Sequence, residues 1–179
     1  AENIILTVFS TEWLQLAQQY TPLLNQLRLH IKVDSGMGRI GVSTKEELME
    51  LYTMINSSDD FLVDGIFTHF ATADEEDSMY FDNQATLFKD FLGALPQKPR
   101  LVHVANTATA LVKDPSLRYD AVRFGISMYG LLPSGYVGTK LPFPIKPAFS
   151  LQTELVHIKK MKAGQSVGYG ATYTAEEDC

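Results

Sequence analysis

Arg39, His69 and Arg123 each fall at or near the C-terminal end of a strand-like run, the edge where parallel α/β folds gather catalytic groups. His69 ends the run 61–70, in which Gly65, Phe67 and His69 share one face and Ile66, Thr68 and Phe70 the other. Taken alone, a histidine there fits a satisfied structural role as well as a site. Arg123 is a charge inside the apolar run 122–126; a buried guanidinium needs a partner, so it either pairs with an acid or meets a ligand. His103, Asn106 and Thr107 form a second polar cluster after the run 100–105, with Thr107 placed to cap a helix and offer donors to a phosphate, or merely to cap a turn. With Gly125 permitting close backbone approach, these strand ends add up to a site for a planar or anionic ligand.

Gly36-Met37-Gly38-Arg39-Ile40-Gly41 follows a strand-like run and matches the GxGxxG pattern of dinucleotide binding. In that motif the later glycines sit in the first turn of the helix, so that a pyrophosphate meets the helix N-terminus. Here Val42 and a Ser43 or Thr44 cap put the helix start after all three glycines, and Asp64 lies within or before the third strand rather than at its end. Three readings stand: an NAD(P) oxidoreductase loop at residues 36–41, a plain tight loop, or a strand-end loop that brings Arg39 into a site. The acidic stretch 74–77 reads as a solvated loop or helix start, and residues 169–173 as an aromatic-rich edge or turn.

The elements that must position these groups alternate. Residues 4–9 are β-prone, followed by a helix with Thr11 as candidate cap and Trp13, Leu16, Ala17 and Tyr20 at helical spacing. Residues 29–34 form the next strand; Ser43 or Thr44, with Glu46 or Glu47 three residues on, supplies a capping box for a helix bearing Leu48, Leu51, Tyr52 and Ile55. The third strand lies within 61–70, and a long helix follows with Phe81, Ala85, Phe88, Leu92 and Leu95 on one stripe. Residues 100–105 make a fourth strand and 122–126 a fifth. Strands each followed by a helix imply βαβ units and a parallel sheet, hence an α/β fold. From Ser134 the texture changes: Pro142, Pro144 and Pro147 interrupt the chain, helical periodicity stops, and 149–160 reads as β-rich. The expected organisation is an α/β domain over 1–133, a linker over 134–148 and a second, β-rich domain from 149 to 179.

Composition narrows the functional classes. Of 179 residues 45% are apolar, and 15 basic against 21 acidic residues give a net charge of −6, which argues against binding nucleic acid through a basic face. No apolar run approaches the roughly 18 residues needed to span a bilayer. Ala1-Glu2-Asn3 has neither the basic start nor the cleavage site of a secretory signal. The single cysteine, Cys179, offers neither an intrachain disulfide nor a cysteine metal cluster, and fits a reducing, cytoplasmic setting.

Five stretches in order resemble the pyridoxal-phosphate-dependent alanine racemases: residues 30–41 (HIKVDSGMGRIG), 68–74 (THFATAD), 103–107 (HVANT), 122–130 (VRFGISMYG) and 167–173 (VGYGATY). The resemblance implies an N-terminal (β/α)8 barrel carrying the cofactor, a C-terminal β domain, and a homodimer with shared active sites that interconverts L-alanine and D-alanine by two-base proton transfer, for peptidoglycan. It implies that Tyr169 is the catalytic base on the L face and that His69 hydrogen-bonds it. Arg123 is similar to the arginine facing the pyridine nitrogen, and Arg39 to the residue near the cofactor phenolate and the substrate carboxylate. Thr107, Gly125 and Ile126 match the positions that hold the phosphate, and Lys32 matches a lysine carbamylated in some members. The family's cofactor lysine lies in a segment absent from these 179 residues, so the expectation is a partial barrel followed by the start of a β-rich domain, inactive by itself. A non-catalytic cofactor-binding barrel is the remaining alternative.

Overall fold

In the computed structural model, which describes residues 4–20 and 26–179, four parallel strands lie in the order in which the chain makes them. They are β1 (Ile5–Val8), β2 (Leu27–Lys32), β3 (Phe61–Phe67) and β4 (Leu101–His103), each followed by a helix: α1 (Thr11–Gln18), α2 (Lys45–Asn56), α3 (Met79–Ala94) and α4 (Thr107–Val112). A consecutive parallel order is that of a barrel wall, whereas doubly wound sheets reverse direction at a switch point. The α/β fold is therefore that of a barrel segment. Ala1, Glu2 and Asn3, read above for a secretory signal, lie outside the described residues. No helix among the described residues is long and apolar enough to cross a membrane.

The chain divides into two units, 1–148 and 149–179. In the first, register decides which residues reach the core. Ile31 pairs with Ile66 and Ile66 with Val102, all fully buried, and with Leu29 they form one cluster with Leu48, Leu51, Ile55, Phe81 and Phe88 from α2 and α3. The alternate residues His30, Lys32, Gly65, Phe67 and His103 pair with one another and so share the opposite face. α2 opens as expected through the Thr44 capping box, with the Glu47 carboxylate accepting from the Thr44 amide. α1 departs from expectation. Ser10, not Thr11, is its cap, Leu14 is its buried residue, and Leu16 and Tyr20 stay exposed, lining a groove beside β1 and Leu27.

Between Leu29–Val63 and His30–Gly65 the register slips by one, leaving Asp64 as the extra residue of a β-bulge. Gly65 follows because nothing larger fits: a Cβ there would lie 2.6 Å from the His30 ring and 2.8 Å from the Leu101 carbonyl oxygen. In the loop after β2, Gly41 (φ +128°) brings the chain back so that Val33 bridges Val42, and a Cβ would stand 2.6 Å from the Asp34 nitrogen.

The run 122–126 is not a strand. Its segment follows β4 through Asp120 N–H to the Val102 carbonyl (3.0 Å) and Arg123 N–H to the Ala105 carbonyl (2.8 Å). These bonds are three residues apart, whereas a parallel ladder repeats every two, so the pairing does not propagate. Helical structure also resumes inside 134–148, where α5 (Gly135–Lys140), capped by Ser134, buries Val137. In the second unit, β5 (Ser166–Val167) and β6 (Tyr173–Thr174) form a short antiparallel pair. Residues 149–160, expected as β-rich, form no strand: Leu151, Leu155, Val156 and Ile158 have a strand's composition, but no neighbouring backbone supplies a ladder, and they stand exposed.

Candidate active site

Beyond the C-terminal ends of β3 and β4 the first unit opens into a cavity of about 390 Å³ lined by Met37, His69, Asn106, Thr107, Arg123, Gly125 and Ile126 among others. Arg123 is its centre. Nη1 donates to the His103 ring Nδ1 (2.6 Å) and the His103 carbonyl (3.0 Å), and Nη2 to the carbonyls of Thr68 (2.6 Å) and Val104 (3.3 Å) and to His69 Nδ1 (3.3 Å). Among the described residues it has no carboxylate partner, and its Nε–H, the fifth donor of a guanidinium, meets no protein acceptor. Burial lowers the Arg123 pKa to about 10, which still leaves it a cation at neutral pH. Of the two fates open to it from sequence, pairing with an acid is therefore not the one taken.

A cation donating to a ring nitrogen fixes the tautomer. His69 and His103 both accept at Nδ1, so each carries its proton on Nε2. Burial, reinforced by the charge of Arg123, pushes the pKa of each down to about 4, so both rings are neutral. Phe67 forms the floor beneath them: its ring stacks on His103 (4.7 Å between centroids, 16°), with the Arg123 guanidinium at 5.2 Å and Lys32 Nζ at 5.8 Å from its centre.

Thr107 does not cap α4. Asn106 does, its side chain accepting from the Thr109 amide, while the Thr107 hydroxyl accepts the Gly125 N–H at 2.8 Å and ties the 123–126 segment to the start of the helix. Lys32 is buried, with Nζ donating to the carbonyls of Val33 (2.8 Å) and Ile40 (3.2 Å). Burial pulls its pKa down to about 8, with Asp34 opposing and Arg123 and Arg39 adding to the fall. Arg39 is exposed, and its amide, with those of Gly36 and Gly38, donates to the Asp34 carboxylate. Those amides are the groups a pyrophosphate would need, and α2 begins only at Lys45, so the loop is not a dinucleotide site. The structure thus joins His69, Arg123, Thr107, Gly125 and Ile126 at one cavity. Tyr169 belongs to the second unit, where it opens a single helical turn between Gly168 (φ +74°) and Gly170 (φ +73°), its side chain fully exposed.

Four residues of this region were given no part in the site from sequence. Gln84 is buried on α3 and holds the loop after β3, accepting from the Ala71 amide (2.9 Å) and donating to the His69 carbonyl (3.3 Å). Phe67, His30 and Asp64 build the floor and the rear of the Arg123 cluster. The alternation in Leu-Arg-Leu-His-Ile-Lys, which sets Arg28, His30 and Lys32 on one face, and an Asp-Gly pair inside a strand were the available signals.

Fold and site define a barrel-type α/β protein with a cavity at the strand ends whose wall carries the Arg123 cation. A family model described as "Alanine racemase, N-terminal domain" matches residues 1–133, and one described as "Alanine racemase, C-terminal domain" matches residues 148–179; the chain belongs to the alanine racemase family. It is 53% identical over 176 residues to the alanine racemase of Streptococcus uberis, covering 98% of this chain and 47% of that protein. Among solved structures it resembles the Bacillus anthracis alanine racemase with bound L-Ala-P (38% identity, TM-score 0.84, 97% of this chain and 46% of that one). It also resembles a histidine racemase from Leuconostoc mesenteroides (33% identity, TM-score 0.79, 98% and 47%). The chain spans about half the length of the curated relatives it matches.

Proposed function

We propose that this chain is part of a pyridoxal-phosphate-dependent racemase that interconverts L-alanine and D-alanine. The observation that carries the reading is Arg123: a cation on a cavity wall whose Nη donors are spent on carbonyls and neutral imidazoles, with Nε–H left over and, among the described residues, no acid to neutralise it. Such a group suits the ring nitrogen of the cofactor. A permanent cation there donates without surrendering its proton, which keeps that nitrogen unprotonated and favours simple return of the α-proton over transamination. Thr107, Gly125 and Ile126, gathered at one end of the cavity by the Thr107 bond, suit the phosphate. Pyridoxal phosphate, when bound, supplies the electron withdrawal that makes the α-proton of an attached amino acid labile.

The chain's own groups handle that proton. Tyr169 serves the L face, and a phenol with pKa near 10 requires help to act near neutrality. His69, held with Nε2–H free by the Arg123 bond to Nδ1, is suited to donate to that phenolic oxygen and lower its basicity. Arg39 is assigned to the substrate carboxylate and the cofactor phenolate, and Lys32, with its lowered pKa, is a suitable site for carbamylation. Homodimerisation, with Tyr169 of one copy completing the site of the other, a cytoplasmic setting and supply of D-alanine to peptidoglycan belong to the same reading, as does the absence of nucleic-acid and membrane partners. So does a domain organisation of barrel (1–133), connection (134–148) and second domain (149–179).

The test uses the full-length protein with pyridoxal phosphate, following interconversion of alanine enantiomers by polarimetry and α-proton exchange in deuterated water. Turnover of alanine in preference to histidine is expected. Cofactor binding without exchange would assign a non-catalytic barrel instead, and preference for histidine would reassign the substrate.

A further inference from the structure

Behind Arg123, away from the cavity, a line of hydrogen bonds runs across the polar face of the sheet. His103 Nε2 lies 2.9 Å from His30 Nδ1, and His30 Nε2 lies 3.2 Å from Asp64 Oδ2. Asp64 is buried and held by Arg100 through Nε to Oδ1 (2.8 Å) and Nη2 to Oδ2 (2.8 Å), and by Arg28 Nη2 (3.0 Å). Each link can be oriented from its ends. Arg123 can only donate, so His103 accepts at Nδ1 and is protonated at Nε2; that proton is given to His30 Nδ1, which leaves His30 protonated at Nε2 and donating to the carboxylate. Read from the other end the answer is the same, because an ionised Asp64 can only accept.

We propose that Asp64 is a positioning residue for Arg123, acting through His30 and His103 as a one-way chain of donors from the cavity wall to a carboxylate clamped by two arginines. The inference rests on the reading of Arg123 as the group that meets the cofactor ring. Reversal of either ring would set donor against donor, at 2.6 Å in the case of His103 and Arg123, and would turn the guanidinium out of place. The backbone is shaped for the chain: the bulge makes Asp64 the extra residue of β3, and Gly65 vacates the volume that the His30 ring occupies. Both rings stay neutral, as the chain requires. Burial, aided for His103 by the charge of Arg123, lowers their pKa values, and the guanidiniums beside Asp64 hold its carboxyl well below the usual range.

The full-length protein with ¹⁵N-labelled histidine tests this by long-range ¹H–¹⁵N spectra at neutral pH. His30 and His103 are expected as Nε2–H tautomers; an Nδ1–H tautomer or an imidazolium at either overturns the proposal. In Asp64→Asn, shown folded by circular dichroism, the loss of the carboxylate should shift the His30 Nε2–H signal and, one link on, that of His103. A group that merely holds the strands together would leave His103 unmoved. The kcat for alanine should fall at least about tenfold while KM stays within about twofold, since misplacing a group that faces the cofactor impairs chemistry rather than amino-acid binding. Should Asp64→Asn not fold, His30→Phe breaks the chain one link further in and should likewise shift the His103 Nε2–H signal and lower kcat with KM little changed. An unmoved His103 signal with unchanged kcat in a folded variant refutes the inference. The tautomer pattern without any racemisation in the unsubstituted protein refutes the proposed function and leaves the chain of donors standing.

Discussion

The two units handle their polar and apolar groups in opposite ways. In the first, Arg123, Lys32, Asp64 and Gln84 are buried or half-buried, and each has its partners, because a layer of Leu29, Ile31, Ile66 and Val102 fixes the strands that carry them. In the second, Leu151, Leu155, Val156 and Ile158 lie exposed, and Ala175 is the buried apolar residue. The first unit therefore defines side-chain geometry well enough to assign tautomers. The second presents a tyrosine on a two-glycine turn, and its role rests on the family pattern.

Four measurements would break or sharpen this contrast. The largest effect belongs to the first unit's packing: Leu51→Ala, at a fully buried position in the main cluster, should cost about 2–5 kcal/mol in urea unfolding followed by Trp13 fluorescence. A cost below about 1 kcal/mol would mean that this layer is not what holds the strands. Next is Tyr169→Phe in the full-length protein. It should leave folding and cofactor binding intact, reduce α-proton exchange of L-alanine at least about a hundredfold, and spare exchange of D-alanine. Equal loss from both enantiomers would remove Tyr169 from the L face.

The third concerns pH. Because His69 and His103 have folded pKa values near 4 against an ordinary value of 6.5, the unfolded chain binds protons that the folded one does not across that window. Stability should therefore rise with pH between about 4 and 6.5, by up to about 1.4 kcal/mol per pH unit for each ring, and His69→Gln should remove one ring's share of that slope. An unchanged slope would mean that His69 is not held neutral. The smallest effect is in the second unit, where Val156→Ser should change stability by less than about 0.5 kcal/mol. A larger loss would show that residues 149–160 have a partner in solution.

Local and periodic signals carried most of the first unit. The capping box at Thr44 and the stripe on α2 were legible because each rests on residues three or four apart. What failed was set by distant neighbours. The run 122–126 has the composition of a strand, yet its pairing with β4 breaks after two bonds, and of the stripe on α1 Trp13 and Ala17 pack against the core while Leu16 and Tyr20 stay exposed. At the site, His69, Arg123, Thr107 and Gly125 were singled out along the chain and Ile126 through the family pattern, and the structure brings these five to one cavity. His30 and Asp64 were given no part in it, because the alternating face of β2 and the Asp-Gly pair inside β3 acquire their meaning only from cross-strand register and the bulge.

The fit of Gly65 against His30 has an evolutionary consequence. A Cβ at 65 would meet the His30 ring at 2.6 Å and the Leu101 carbonyl oxygen at 2.8 Å, so shrinking residue 30 relieves only one of two clashes: glycine at 65 is held by the neighbouring backbone as well as by the imidazole, and the link between His103 and Asp64 through His30 depends on that glycine. In a library randomised at both positions and selected for D-alanine prototrophy, survivors should keep Gly65 wherever His30 is kept. Pairs that depart should depart at 30 with Gly65 retained, so that heredity in this part of the barrel wall runs one way: the glycine is the precondition and the imidazole the dependent.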